Sequence, residues 1–190
     1  MALKGMSFCG WGVRAIGNTR PDVWPAEPID PTQPFKWQTR RVMKAVPLLY
    51  APYQPGDIVY IKEGVYREPV DGIVRYRADD RGVNPLVLWQ KENGEPYKVS
   101  ALSCRYMPRE CARYFVRVRE VRPERLQDMT IADCRAEGIV HCPDTMAHTE
   151  FAWAWNPLHH SDGHDWLSNP WVWRYVFERV SKEEAEECTQ

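Results

Sequence analysis

QPGDIVYIKEGVY, residues 54–66, decides the fold class. Pro55-Gly56 is a turn signal, and from Ile58 onward β-branched and aromatic residues alternate with polar ones, the pattern of a strand with one buried face. Working outward, GIVRY at 72–76 is short and β-rich enough to pair with it. ARYFVRVREV at 112–121 alternates cleanly, with Tyr114, Val116 and Val118 on one face and Phe115, Arg117 and Arg119 on the other. WVWRYVFERV at 171–180 reads as a last strand, opened by Pro170, which can begin a strand but not sit at its centre. Residues 79–98 are turn-rich, with at most one short strand at 86–90. Between the strands lie short helical signals: 10–16, stopped by Gly17-Asn18; TIADCRAEG, with Thr130 as N-cap, Asp133 three residues later and Gly138 at its end; and 145–155. Strands with interspersed short helices and no βαβ rhythm predict an α+β fold, a small mixed sheet curled into a barrel. Dense prolines (Pro21, Pro25, Pro28, Pro31 and Pro34) make 17–35 a surface insertion.

The chain has 190 residues, enough for one domain over 1–180 plus the acidic segment 181–190, which holds one Lys against four Glu and is expected to be a solvated tail. Hydrophobic residues at 44% and charged residues at 27% exclude wholesale disorder. No stretch approaches the ~18 consecutive apolar residues of a membrane span, and no signal peptide opens the sequence, so a cytoplasmic protein is expected. The six Cys contain no C-x-x-C pair and are expected to be reduced. The net charge of −1 hides two basic runs. Residues 31–50 carry Lys36, Arg40, Arg41 and Lys44 with no acid, and 101–125 carry seven Arg against three Glu. Interleaved with Trp37, Tyr106, Tyr114 and Phe115, they suggest an anion or nucleic-acid surface.

Signatures for nucleoside triphosphates, dinucleotides, serine hydrolases and zinc peptidases are missing from the sequence. HHSDGHD places His160, His164, Asp162 and Asp165 close together, but a Gly-containing loop is poor scaffolding for a metal, and neither a metal nor another cofactor is expected. Of the nine Trp, Trp153, Trp155, Trp166, Trp171 and Trp173 are expected as core and loop anchors, and Cys134 as a packed residue. KWQTRR at 36–41 is the chemically interesting cluster. A lysine among other cations can give up its proton and act as a base towards a hydroxyl three residues away; a basic turn that docks a phosphate is the other reading.

KWQTRR, QPGDIVYIKE, MPRECARYFVRVREVRPERLQDMTIADCRAEGI and NPWVWRYVFERV occur in the order found in ASCH domains of the PUA-like superfamily, in a version similar to that of bacteriophages and prophages. The resemblance covers most of 36–180, with a weaker match at VRAI, 13–16. It implies a barrel-like core and a cationic cleft for RNA, a nucleoside or a modified nucleobase. Members that hydrolyse N4-acylated cytidines use a Lys, a Thr three residues later and a Glu at the end of a helix. By position these match Lys36, Thr39 and Glu137, and Arg41 matches a further cleft residue. In that reading Thr39 attacks, Lys36 accepts its proton, and Glu137 serves the departing amine. Trp37, Arg40, Arg41, Lys44, Arg105 and Arg109 are the expected base- and phosphate-binding residues. Pro34 and Phe35 replace the family's Gly and basic residue, and Trp37 stands where a small hydroxylated residue is common. A non-catalytic phage protein that binds RNA or a host partner, and a ribonuclease, are the alternatives.

Overall fold

The computed structural model describes residues 3–8, 10–43, 50–67, 73–79 and 100–188. The expected strand at 86–90 and Lys44 lie outside them.

The fold is α+β. In chain order the elements are β1 (Lys4–Ser7), α1 (Gly10–Gly17), β2 (Gln38–Val42), β3 (Ile58–Lys62), β4 (Val65–Arg67), β5 (Val74–Tyr76), β6 (Ser100–Leu102), β7 (Phe115–Arg125), α2 (Ile131–Ala136), α3 (Ala147–His159), β8 (Trp171–Val180) and α4 (Lys182–Glu187). The main sheet runs β1-β3-β7-β8-β2, and a smaller one runs β5-β4-β6. Only β1 against β3 is parallel; the other pairs are antiparallel. The GVY end of the opening stretch pairs with Val74–Tyr76, as the sequence suggests.

The alternation in β7 sorts its residues as expected. Val116 and Val118 join Met6, Ile16, Val59, Ile61, Tyr175 and Phe177 in one core, with Tyr114 packed against it. Phe115 enters a second core with Ile58, Met107 and Val180. β7 runs further than the reading of 112–121, through Pro123 to Arg125. A proline is tolerated there because β3 pairs only with 115–117, so this half of β7 needs to donate towards β8 alone.

Among the described residues the sheet does not close into a barrel; its edge strands β1 and β2 share no ladder. They nevertheless approach one another. In a flat sheet, four spacings of about 4.8 Å would separate them by roughly 19 Å. Here Arg41 on β2 donates to the carbonyl of Ser7 on β1, so the sheet is strongly curled and a side chain bridges its open seam. β1 is four residues long, and its neighbour across the seam presents side chains rather than backbone, which is why the barrel expectation fails.

Two more expectations need correction. Residues 182–187 are not a solvated tail but α4, capped by Ser181, with Ala185 fully buried and Glu184 paired to Arg117. Trp153 and Trp171 are not core anchors; they are 62% and 45% exposed. α3 also runs to His159, past the expected end at 155 and past Pro157. Among the described residues no helix is long and apolar enough to cross a membrane.

Candidate active site

The local logic of the site begins with α2. Thr130 accepts from the Asp133 N–H, and Asp133 accepts from the Thr130 N–H, a complete capping box. At the other end Gly138 adopts φ 96°, and the N–H groups of Gly138 and Ile139 return to the carbonyls of Arg135 and Cys134. This double turn-back ends the helix and leaves Glu137 as its C-cap. The segment Lys36-Trp37 is sewn onto this end: the Trp37 N–H donates to Ala136 O at 3.2 Å, and Lys36 Nζ donates to Glu137 O at 3.1 Å. A cation at a helix C-terminus is also favourably placed against the helix dipole.

Lys36 Nζ forms an ion pair with Glu137 Oε2, although 101 residues separate them in sequence. Both are buried, at 2% and 3% exposure. The second carboxylate oxygen, Oε1, accepts from Arg40 Nη1 at 3.1 Å. One carboxylate thus sits between two buried cations. Arg40 is held in turn by Glu124, 2.7 Å from its Nε, and by Asp133 at 3.6 Å. Asp133 also accepts from Gln38 at 2.8 Å. Burial opposes ionisation of Asp133, but donation from the Thr130 backbone, Gln38 and the Thr130 hydroxyl, with the Arg40 charge, outweighs it and holds this carboxyl well below the usual range. Arg40 is therefore anchored beneath α2 by carboxylates, and it also lines a cavity with Thr39.

Thr39, 5% exposed, lines a cavity of about 290 Å³ together with Lys36, Arg41 and Glu137. Phe8, just beyond β1, supplies an aromatic floor to the charged groups: Arg41 Cζ lies 4.6 Å and Lys36 Nζ 5.9 Å from its ring centroid. β1 and β2, the two edges of the main sheet, both contribute to its wall.

The structure does not bring every expected residue to the cavity. Trp37 is not among its lining residues; its ring stacks on Phe35 at 4.7 Å instead. Arg105 and Arg109 are exposed, in 3-10 turns at Cys104–Tyr106 and Arg109–Cys111, and only Cys104 of that region reaches the cavity. Much of the second basic run is internally paired: Arg113 with Glu63 and Asp79, Arg117 with Glu178 and Glu184, Arg119 with Glu178, and Arg122 with Glu120 and Glu124. His160 pairs with Asp165 at 3.2 Å, while the His164 carbonyl accepts from Trp155, so the His-rich loop caps α3. Cys134 is packed, its thiol pushed up to about 11 by burial.

Residues of α3 also line the cavity, among them Trp155, expected only as an anchor, and Phe151 and His159, to which the sequence reading gave no role. Their spacing of four is the signal that could have found them, since it places all three on one helix face.

The insertion 17–35 is tied to the site as well. Asn18 Nδ2 donates to the carbonyls of Asp30, Gln33 and Pro34 at 2.9–3.2 Å and clamps the two ends of the loop together. The buried Thr19 hydroxyl accepts from the Lys36 N–H at 3.2 Å and lies 3.1 Å from Lys36 O, so the insertion fixes the backbone of Lys36. Comparison with known protein families, with characterised proteins and with solved structures gave no match to this chain.

Proposed function

We propose that this chain is an ASCH-type domain of the PUA-like superfamily, phage- or prophage-encoded and acting in the bacterial cytoplasm. Its cavity takes a nucleobase with an acylated exocyclic amine, of the N4-acylcytidine kind, and hydrolyses the amide. The observation that carries this reading is the convergence of Lys36, Thr39 and Glu137 on one cavity across 101 residues of sequence. About 290 Å³ lies at the small end of ligand pockets, roughly 300–1,000 Å³, and suits one substituted nucleoside better than a strand of RNA.

The chemistry proposed for the cavity uses the Lys36–Glu137 contact. Lys36 Nζ, entering the reaction as the free amine, takes the proton of Thr39 Oγ as the oxygen adds to the amide carbon and passes a proton on to Glu137. Arg41, in the same cavity, offsets the charge that develops on the carbonyl oxygen. The C–N bond then breaks as Glu137 protonates the departing nitrogen, leaving an ester on Thr39. Water adds to the ester as Lys36 takes its proton, and collapse of the adduct releases the carboxylic acid as Lys36 returns that proton to Thr39 Oγ. The balance is amide plus water to amine plus carboxylic acid.

The test is incubation with N4-acetylcytidine followed by chromatography. Wild-type protein releases cytidine and Thr39→Ala does not; equal release by both, or none by the wild type, overturns the hydrolytic reading. Binding without release would favour the non-catalytic alternative.

A further inference from the structure

The cavity has two chemically different walls. Lys36 just before β2, Thr39 on β2 and Glu137 at the C-cap of α2 form one wall. α3 supplies Phe151, Ala154, Trp155, Leu158 and His159, the i, i+3, i+4, i+7, i+8 set that forms one face of a helix. Such a face normally packs onto a core. Here Phe151 and Trp155 are buried, but Ala154 is only half-buried and Leu158 is 54% exposed, and all line the same space as Thr39. The rings form a ladder: Phe151 and Trp155 stack at 5.8 Å with 25° between planes, and Trp155 and His159 lie 4.0 Å apart at 31°.

The Trp155 indole N–H is turned away, donating to His164 O at 2.7 Å. The part of this wall formed by Phe151, Ala154, Trp155 and Leu158 therefore offers carbon surface rather than donors for the oxygen and ring nitrogen of a pyrimidine. The cationic donors that line the cavity, Lys36, Arg40 and Arg41, belong to the other wall, and the His159 imidazole lies at the C-terminal end of the α3 face. An exocyclic amide held at Thr39 has a polar base on one side and an acyl group on the other. Complementarity places the base towards the cations and the acyl group against α3.

We propose that the α3 face is an acyl subsite, so that the substrates of this chain carry a bulky apolar or aromatic acyl group, of the aroyl or branched-acyl class, in place of acetyl. The proposal rests on the hydrolytic reading of the cavity. Each additional buried methylene in an apolar pocket gains about tenfold or more in kcat/KM, so an aroyl group exceeds acetyl by at least that factor.

The experiment compares N4-benzoylcytidine with N4-acetylcytidine in two arms. In turnover, the wild type favours the benzoyl compound at least about tenfold, and Ala154→Trp, which fills the wall, collapses this ratio towards or below unity. In binding, measured calorimetrically with the Thr39→Ala protein, benzoylcytidine binds more tightly than acetylcytidine, and cytidine most weakly. Hydrolysis of both compounds at equal rates, or a ratio unchanged by Ala154→Trp, overturns the acyl subsite while leaving the hydrolytic reading intact. Preferential binding of the benzoyl compound without turnover by the wild type supports the subsite and overturns hydrolysis. Tighter binding of cytidine than of either acyl compound shows that α3 holds the base, and the proposal fails.

Discussion

Glu137 is the residue on which the site turns, because its two oxygens face two buried cations, Lys36 and Arg40. Removing one partner of a buried ion pair costs about 3–5 kcal/mol, since the other charge is left uncompensated. The two partners of this pair are not equivalent. Glu137→Gln leaves the Lys36 ammonium with a backbone carbonyl, whereas Lys36→Met leaves Glu137 still paired with Arg40. Urea unfolding should therefore show a loss of about 3–5 kcal/mol for Glu137→Gln and a smaller loss for Lys36→Met. Equal losses, or none, would mean that the pair is not the buried contact described. KWQTRR put Lys36 and Thr39 at a spacing that lets both reach one cavity, whereas Glu137 was reachable only through resemblance. No rule of spacing links residues 101 apart; the contact exists because the Trp37 backbone N–H donates to the end of α2 and holds the adjoining Lys36 beside it. The role of Arg40 was not legible, because its partners Glu124, Asp133 and Glu137 come from two distant elements.

At the scale of elements, α2 is a six-residue helix that depends on its caps and on Asp133. The carboxyl of Asp133 is held below its ordinary value, so its contribution is fully present above about pH 4 and is lost as pH falls through the lower folded value. Asp133→Asn should thus be clearly less stable than wild type at pH 7, with the difference shrinking steadily below about pH 4. A difference that is constant or grows on acidification would contradict this assignment. The insertion makes a similar demand. Thr19→Val keeps the shape but removes the hydroxyl that serves the Lys36 backbone. The expected cost is about 1–3 kcal/mol, the range for stranding a buried polar group, read by thermal or chemical unfolding. Substitution of Asp22, whose side chain accepts at the insertion's surface from the Ser181 N–H, should cost less. The capping box, the Gly138 stop and the strand at 171–180 were all readable because each rests on local chemistry. The insertion's function was not, since five prolines announce a loop but say nothing of the Asn18 and Thr19 contacts that fasten it.

Across the whole molecule, charge is arranged in internal pairs. The two basic runs that suggested a nucleic-acid surface supply Arg40, Arg113, Arg117, Arg119 and Arg122 to carboxylates of the same chain. A ligand that entered by neutralising phosphate contacts would lose affinity with a slope of about −0.9 per contact in log K against log salt for duplex DNA, or −0.7 for single strands. The small-nucleoside reading predicts a nearly flat dependence for an acylcytidine, shallower than one phosphate contact; a slope equivalent to several would point to polymer binding. The α+β class was legible from strand periodicity, whereas closure was not, because whether β1 and β2 meet by ladder or by the Arg41–Ser7 bridge depends on curvature accumulated over five strands. Residues 181–190 looked like a tail by composition, and the burial of Ala185 and the Glu184–Arg117 pair show that 182–187 packs. The most direct measurement of the central claim is the rate of cytidine release from an N4-acylcytidine by wild type, Lys36→Met, Thr39→Ala and Glu137→Gln, each shown to be folded at the assay temperature. The account predicts loss of about a thousandfold or more for Thr39→Ala and at least a hundredfold for the other two. Release by folded Thr39→Ala at the wild-type rate would contradict it.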